Sequence, residues 1–254
     1  MTKKLLLKLA NIISIFWKII PENIRKQIVT GILILESRGS DTRLGLARLF
    51  ILKDKLNLVI NERAMVFGKG VHPKHRLTNY HDFFIKNVKN GQNVLDIGCG
   101  YGAVAKSIAV SRPKSLVVGI DIDDEKLKQA NFQNINKNLK FEKFDATKNI
   151  PKGKWDVIVL SNVLEHIQER IIFLKQIIST TKTNYLLIRV PHFERDWEIP
   201  LRKELNINYF SDDDHKIEHT SDEFILELKE AGIITKEILT IWGEIWAECE
   251  VEVN

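Results

Sequence analysis

Residues 94–105 read VLDIGCGYGAVA, an apolar segment followed at once by three closely spaced glycines and a helical pattern. Glycine adopts positive φ without steric cost and lets a ligand approach the backbone, and the first turn of a helix offers free N–H groups. A strand, a glycine turn and a helix in this order predict a nucleotide-binding loop. The spacing G-x-G-x-G differs from the G-x-G-x-x-G of dinucleotide-binding loops, which argues against a dehydrogenase.

From Asn93 onward, short segments rich in β-branched residues alternate with helical segments. This alternation predicts a doubly wound α/β fold, with a mostly parallel sheet covered by helices on both faces. Only Gly243 and Glu244 separate the last two predicted strands, so we expect a hairpin and an antiparallel final strand. The seven predicted strands are residues 93–97, 116–122, 140–144, 155–160, 185–190, 235–242 and 245–251, with helices at 101–111, 124–134, 168–179 and 221–231.

Acidic residues stand at three positions around this predicted nucleotide site. Asp96 precedes the first glycine by two residues, Asp121 ends the second predicted strand, and Asp145 follows the third. Together with WDVIVLSNVLEH at residues 155–166, the pattern resembles the class I S-adenosylmethionine-dependent methyltransferases, whose first motif is D/E-x-G-x-G-x-G. The resemblance covers residues 93–254 and implies a Rossmann-like fold with S-adenosylmethionine as the cofactor.

The resemblance also implies roles for individual residues. Asp121 would accept hydrogen bonds from both ribose hydroxyls, Asp145 would lie near the adenine amino group, and residues 155–166 would face the transferred methyl group. Taken singly, Asp121 could instead cap a helix and Asp145 could occupy a turn. Cys99 belongs to the loop and is not a nucleophile, since no basic residue adjoins it. The predicted cofactor contacts are Asp96, Gly98, Cys99, Gly100, Gly102, Asp121, Ile122, Asp145, Ala146 and Ser161.

The composition is that of a soluble globular protein, with 44% hydrophobic and 28% charged residues. Two cysteines provide no disulfide framework and no cysteine-rich zinc site, so we expect a cytoplasmic protein. The net charge of +5 is unevenly distributed: residues 1–92 carry 17 Lys and Arg against 6 Asp and Glu. This excess predicts that the amino-terminal third meets an anionic membrane or an acidic partner, unless it is only a solvated basic face.

The first twenty residues show apolar side chains at helical spacing, interrupted by Lys8 and Lys18. The apolar runs are too short to span a membrane, and no small-residue cleavage site of a signal peptide follows. Two interpretations stay open: a helix docked on its own domain, or a helix in a membrane interface, at the inner face of the membrane. Residues 22–65 read as further helix, with a break and a new cap at residues 39–41.

The chain therefore divides into three parts in our prediction. Residues 1–65 form a basic helical extension, residues 66–92 a segment that the resemblance implies covers the cofactor, and residues 93–254 the methyltransferase domain. Within the covering segment, Arg76 and Tyr80 are candidates near the methionine end of the cofactor. The alternative is a basic loop that joins helices.

The long segment 191–220 after the fifth predicted strand is the expected acceptor-binding insertion. It mixes aromatic, Arg, Asp and His residues, which suits a polar, hydroxyl-bearing acceptor such as a sugar, although it could also be a solvated lid. With residues 72–84, it resembles methyltransferases of bacterial surface-glycan synthesis, which implies a nucleotide-linked or lipid-linked sugar. The candidates are Arg195, Trp197, Arg202 and Tyr209 for acceptor binding, and His192, His215 and His166 as catalytic residues.

No metal ion is expected, although the acidic cluster at residues 212–215 leaves a divalent-metal site as an alternative. DNA is not an expected partner, because residues 161–164 lack the N/D/S-P-P-aromatic turn of amino-methylating enzymes and neither cysteine suits cytosine carbon-5 chemistry. The basic third keeps an RNA methyltransferase open. A cofactor-binding module without catalytic activity, in a membrane-associated biosynthetic complex, is a further alternative.

Overall fold

The computed structural model describes residues 3–252, which form two compact units, one ending at Phe67 and one beginning at Gly68. The first unit consists of the helices α1 (Lys3–Ile19), α2 (Glu22–Ser37) and α3 (Thr42–Phe67). Asp41 begins α3, since its carboxylate accepts the N–H groups of Arg43 and Leu44. The predicted break near residues 39–41 is therefore confirmed.

Helices α2 and α3 pack against each other next to this break. A Cβ atom on Gly45 would lie 2.1 Å from the carbonyl oxygen of Ser37, so glycine allows the close approach. Arg48 donates hydrogen bonds of 2.8 Å to the carbonyl oxygens of Glu36 and Arg38.

Among the described residues of these two helices, only Gly45 and Phe50 are buried. Exposed large apolar side chains of the three helices include those of Ile13, Phe16, Ile19, Ile32, Leu35, Leu56, Leu58, Val59, Ile60 and Phe67.

The second unit is built on one seven-stranded sheet with the order β3-β2-β1-β4-β5-β7-β6. Strands β1 to β5 run parallel, and β7 lies antiparallel between β5 and β6. The predicted fold class is confirmed. The strands are β1 (Val94–Ile97), β2 (Val117–Asp121), β3 (Leu139–Lys143), β4 (Val157–Ser161), β5 (Tyr185–Pro191), β6 (Ile233–Ile241) and β7 (Glu244–Val251).

Helices cover both faces of this sheet because successive strand residues point to opposite sides. Val94 and Val157 belong to one buried cluster, and their neighbours Leu95 and Ile158 belong to the other. The helices of the unit are α4 (Lys74–Thr78), α5 (Tyr80–Asn87), α6 (Ala103–Ser111), α7 (Asp124–Phe132), α8 (Arg170–Thr181), α9 (Glu198–Glu204) and α10 (Ser221–Glu230).

Three details of the fold differ from the sequence-based expectation. The last hairpin turns at Trp242 and Gly243, with φ of 55° and 75°, so Glu244 belongs to β7 and not to the turn. Positive φ at both central residues is the turn geometry that suits the twist of a hairpin. Strand β6 begins two residues earlier than predicted and contains a bulge between Thr235 and Glu237. Helices α4, α5 and α9 were not predicted, because each has eight residues or fewer, which is too few for an amphipathic pattern to stand out.

Candidate functional site

The glycine loop joins β1 to α6, and its three glycines have φ between 55° and 73°. A Cβ atom would lie 2.7 Å from a methyl carbon of Val163 if placed on Gly98, and 2.2 Å from the Phe141 ring if placed on Gly102. A Cβ atom on Gly100 would meet no atom within 4 Å. Two of the glycines therefore allow close packing, while Gly100 leaves open space beside the backbone.

The loop is hydrogen-bonded to the end of β2. The N–H groups of Gly98 and Cys99 donate to the carbonyl oxygen of Ile120, at 2.8 and 3.0 Å. The N–H group of Gly100 donates to Asp121 Oδ2 at 2.7 Å, and Asp121 Oδ1 accepts the N–H group of Asp123 at 2.8 Å. Each carboxylate oxygen has two lone pairs, so these contacts orient Asp121 and leave acceptor capacity for a ligand.

A cavity of about 650 Å³ opens at the carboxyl ends of the parallel strands. This is where ligands bind in open α/β sheets, and the volume is within the roughly 300–1,000 Å³ of small-molecule sites. Of the predicted cofactor contacts, Asp96, Cys99, Gly102 and Ser161 do not line this cavity. Those that do are Gly98, Gly100, Asp121, Ile122, Asp145 and Ala146.

Asp96 is buried in β1 behind the loop. Burial raises the pKa of its carboxyl group to about 7, although the N–H group of Ala105 donates to it at 3.2 Å and partly offsets the effect. The negative charge of Asp121 raises the same pKa further. Burial likewise raises the pKa of the Cys99 thiol, which therefore stays protonated and is a poor nucleophile.

Asp145 is held at the rim of the cavity. Its carboxylate accepts the Thr147 hydroxyl at 2.6 Å, which lowers its pKa, and it pairs with Lys148 at 3.0 Å. This carboxylate is therefore ionised at neutral pH.

A second cavity of about 310 Å³ adjoins the first. The two cavities share Asn162, His166 and Asp212 as lining residues. His215 and Arg195 also line the second cavity, whereas the candidates His192, Trp197, Arg202 and Tyr209 line neither of these two cavities. The other lining residues are Lys74, Glu165, Pro191, Ser211, Trp242, Gly243 and Glu244.

Several side chains of segment 191–220 are engaged in contacts within the chain. Arg195 forms an ion pair with the buried carboxylate of Glu218 and donates to the carbonyl oxygen of Tyr209. Arg202 is buried and donates to the carbonyl oxygen of Asn208. Trp197 is 70% exposed. These contacts organise the segment around itself, so only part of it faces the second cavity.

His192 lines neither cavity. It is buried, forms a β-bridge with His219, and its Nε2 atom lies 3.5 Å from Glu194. Burial lowers its pKa.

Tyr209 packs edge-to-face against the Phe193 ring at 5.8 Å, beside a smaller cavity of about 160 Å³.

Asn162 was not singled out from the sequence, yet it lies between the two cavities. It follows β4 with φ of 58°. Its N–H group donates to the carbonyl oxygen of Arg189, and its Oδ1 atom accepts a 2.6 Å hydrogen bond from Arg189 Nε. Asparagine tolerates this left-handed conformation better than most residues, and the two bonds join the ends of β4 and β5.

Glu165 is the second residue that sequence reasoning missed. Its side chain is fully buried in the wall of the second cavity, and neither carboxylate oxygen has a hydrogen-bond partner among residues 3–252. Burial raises its pKa to about 8, and the nearby Arg189 guanidinium and Asn162 amide offset this effect in part. The signal in the sequence is a carboxylate directly after the apolar residues Val163 and Leu164.

In the predicted covering segment, Tyr80 is buried and its ring lies 3.9 Å below the Arg189 guanidinium. The Tyr80 hydroxyl is hydrogen-bonded to His75 Nδ1 at 2.8 Å. Arg76 is exposed, and neither it nor Tyr80 lines the two cavities. Lys74 is the residue of this segment that lines the second cavity.

The sheet order, the glycine loop and the cavity at its carboxyl edge define a class I methyltransferase fold. The chain belongs to the methyltransferase-domain family, whose sequence profile matches residues 72–233. The domain is of the S-adenosylmethionine-dependent type, and S-adenosylmethionine is its cofactor.

Relatives of known name include ribosomal protein L11 methyltransferases. The protein from Burkholderia orbicola is 35% identical over 103 residues, which is 41% of this chain and 33% of the relative. The protein from Thermotoga maritima is 31% identical over 145 residues, or 55% of this chain and 51% of the relative. The chain thus spans a third to a half of the length of these two relatives.

Solved structures show the same fold at low sequence identity. A chain of the complex between the Haloferax volcanii Trm112 methyltransferase activator and a methyltransferase has a TM-score of 0.60 and 15% identity, covering 73% of this chain and 93% of that one. An S-adenosylmethionine-dependent methyltransferase from Aquifex aeolicus has a TM-score of 0.53 and 19% identity, covering 70% and 93%. An O-methyltransferase from neocarzinostatin biosynthesis, solved with S-adenosylhomocysteine, has a TM-score of 0.55 and 14% identity, covering 71% of this chain and 55% of that one.

Proposed function

We propose that the protein transfers the methyl group of S-adenosylmethionine to a hydroxyl group of a small polar acceptor, a sugar or a glycan precursor. The observation that carries this proposal is the contact between the two cavities at Asn162, His166 and Asp212. The larger cavity suits the cofactor and the smaller one suits an acceptor group of the size of one sugar ring. Polar lining of the smaller cavity favours a hydroxyl-bearing acceptor over an apolar one.

Gly98, Gly100, Asp121 and Asp145 would hold the cofactor. The open space beside Gly100 lets a ligand approach the backbone, and the Asp121 carboxylate at the end of β2 can accept ribose hydroxyls. Bound S-adenosylmethionine supplies a methyl group on a sulfonium, which a nucleophile displaces in line. The protein contributes mainly by alignment, because reacting groups held in position react far faster than free ones.

The acceptor hydroxyl must lose its proton during the transfer. Among the three predicted catalytic histidines, His166 lines both cavities and His215 lines the acceptor cavity. Their rings meet edge-to-face at 4.7 Å. We propose that these two residues assist the loss of this proton, and that His192 has no part in it because it lines neither cavity.

The amino-terminal unit supports a peripheral contact of residues 1–20 with an anionic membrane. No helix within residues 3–252 is long and apolar enough to cross a membrane. Ile12, Ile13, Phe16 and Ile19 of α1 are nevertheless more than half exposed. Exposed apolar side chains next to lysines are the pattern of a helix that lies in the membrane interface. Such a contact would place the enzyme near a lipid-linked sugar.

Transfer of isotope-labelled methyl groups into a fractionated cell extract tests the acceptor class. We expect the label in the sugar-containing fraction that remains in water after phenol extraction. We expect His215→Ala to abolish this labelling while leaving cofactor affinity intact, because His215 lines the smaller cavity and not the larger one. Label confined to protein or RNA would contradict the sugar acceptor, and it would favour an acceptor like that named for the ribosomal relatives.

A further inference from the structure

Three side chains that can bind a metal ion meet in the wall of the acceptor cavity. One ligand atom from each of Glu165, His166 and His215 lies within 4.8 Å of the other two. All three residues line the cavity; Glu165 and His215 are buried, and His166 is half-buried. Two imidazoles and one carboxylate are the ligand set of many catalytic zinc sites and of open iron sites.

The Glu165 carboxylate gives an independent reason to expect a ligand at this place. The residue is 0% exposed, and within residues 3–252 neither of its oxygens accepts a hydrogen bond. A buried carboxylate that forms no hydrogen bond among the described residues is costly, because the nearby Arg189 and Asn162 side chains replace only part of its lost hydration. A bound cation would provide that compensation.

Carboxylates next to the two histidines suit metal binding as well. Glu218 Oε1 lies 3.4 Å from His215 Nδ1, and Asp214 Oδ2 lies 3.1 Å from His166 Nδ1. In metal sites, a carboxylate that accepts one ring N–H group fixes the tautomer and leaves the other nitrogen free for the ion. By this rule, Nε2 is the available ligand atom of His215. His166 Nδ1 lies near Asp214 but forms no hydrogen bond among the described residues, so the rule does not select a ligand atom for His166.

We propose that Glu165, His166 and His215 bind a divalent transition-metal ion such as Zn²⁺ beside the cofactor cavity. Ligand atoms on one tetrahedral zinc ion lie about 3.4 Å apart. The ligand atoms of the three side chains lie at most 4.8 Å apart here. Binding of zinc therefore requires them to approach each other by up to about 1.4 Å. The proposal departs from our sequence-based expectation of a site without metal, because only the fold brings His215 to Glu165.

The role of the ion rests on the proposed function, whereas its binding does not. A divalent cation lowers the pKa of a hydroxyl group that it coordinates. The acceptor would release its hydroxyl proton to water, and its oxygen would form the bond to the methyl carbon. The electron pair of the broken carbon–sulfur bond would stay on sulfur. His166 and His215 would then assist proton loss through the ion that they hold.

Cobalt substitution tests the site directly. The full-length protein, freed of metal by a chelator, is titrated with Co²⁺ and followed by visible absorption, with Zn²⁺ competition measured by calorimetry. We expect one ion per chain, and at least tenfold weaker binding in Glu165→Gln and in His215→Asn. The control variants Glu194→Gln and His72→Asn remove a similar group outside the cluster and should bind like the natural protein.

The outcomes separate the metal site from the methyl transfer. Absence of Co²⁺ binding, or binding unchanged in both cluster variants, would overturn the site, provided that these variants keep the natural affinity for S-adenosylmethionine and are thus folded. Full methyl transfer in excess chelator would refute the role of the ion and leave the proposed function standing. Co²⁺ binding without methyl transfer to any acceptor would refute the proposed function and leave the metal site standing.

Discussion

Asp121 connects the glycine loop to the cavity that we propose for the cofactor, because it accepts the Gly100 N–H group and also lines this cavity. We expect Asp121→Ala to weaken S-adenosylmethionine binding at least tenfold, measured by calorimetry, since it removes about 1.5–3 kcal/mol of hydrogen bonding to a charged acceptor. Asp123→Ala is the matched control: it removes a helix cap of α7, not a cavity residue, and should leave the affinity unchanged. Equal affinities of the natural protein and Asp121→Ala would refute the ribose assignment.

Asp96 gives the fold a pH dependence. Its pKa rises from an ordinary 3.8 to about 7 on folding. Between these values the folded protein binds more protons than the unfolded chain, so the contribution of Asp96 to the free energy of unfolding falls as the pH rises, and it stays low above about 7. The Asp96→Asn variant lacks this pH-dependent contribution to the free energy of unfolding. We expect the unfolding free energy of the variant relative to the natural protein to rise by roughly 1–3 kcal/mol between pH 5 and pH 8.

Urea unfolding at pH 5, 6, 7 and 8 measures this difference for Asp96→Asn. Asp123→Asn is the control, because the Asp123 carboxyl is exposed and its pKa is lowered by the Lys126 N–H group, so it is ionised throughout this range. Parallel stability curves for the natural protein and Asp96→Asn would show that the buried carboxyl does not titrate in this window.

At the scale of single residues, the cavity-lining positions that could be predicted are those that belong to a local sequence motif. Asp121 and Asp145 follow strands, and the edge of a parallel sheet brings the ends of neighbouring strands together. Arg202 and Trp197 were chosen for their chemistry alone, and chemistry does not indicate whether a side chain is buried or exposed. Glu165 was missed for the opposite reason: its position after an apolar run suggests packing, whereas its lack of a partner is visible only in three dimensions.

The glycine loop is the main element of the proposed cofactor site, and its glycines differ in the space that a side chain would find. Gly102→Ala places a methyl group 2.2 Å from the Phe141 ring, so we expect a loss of roughly 3 kcal/mol or more in unfolding free energy. The new methyl group of Gly100→Ala meets no atom within 4 Å. We expect this variant to lose only roughly 1–2 kcal/mol of unfolding free energy, which is the cost of positive φ for a residue with a side chain. Its new methyl group points into space beside the cavity, so we expect at least tenfold weaker cofactor binding.

Urea denaturation and calorimetry on the two alanine variants separate these effects. We expect Gly102→Ala to lose stability. We expect Gly100→Ala to stay folded and to bind the cofactor weakly. Gly232→Ala is the control, since Gly232 also has positive φ and open space around it but lies outside the loop. Normal cofactor affinity in Gly100→Ala would show that the ligand does not approach this part of the loop.

The strands were predictable because short apolar, β-branched runs alternate along the chain with longer helical segments. The turn before β7 was misplaced by one residue because it requires positive φ at Trp242, which a tryptophan rarely adopts. Helix α9 escaped prediction because its seven residues begin with Glu-Ile-Pro and show no amphipathic repeat.

At the scale of the whole molecule, we assign membrane contact to the first unit and cofactor binding to the second. We predict that deletion of residues 1–20 lowers binding to anionic vesicles while leaving the affinity for S-adenosylmethionine unchanged, because the cavities lie in the second unit. Co-sedimentation with anionic and with uncharged vesicles measures the first quantity, and calorimetry the second. Full-length protein with Ile13→Asp and Phe16→Asp serves as a second test that keeps the chain length. Equal sedimentation of all three proteins would contradict the membrane contact.

The position of β7 in the sheet has a consequence for how the protein is made. This strand follows β6 along the chain but lies between β5 and β6. A nascent chain that has emerged from the ribosome only as far as Ile241 therefore exposes the backbone edge of the apolar strand β5, with nothing yet available to pair with it. Unpaired apolar edges recruit other chains. Emergence of residues 244–251 is thus the step of synthesis that covers this edge, because these residues form β7.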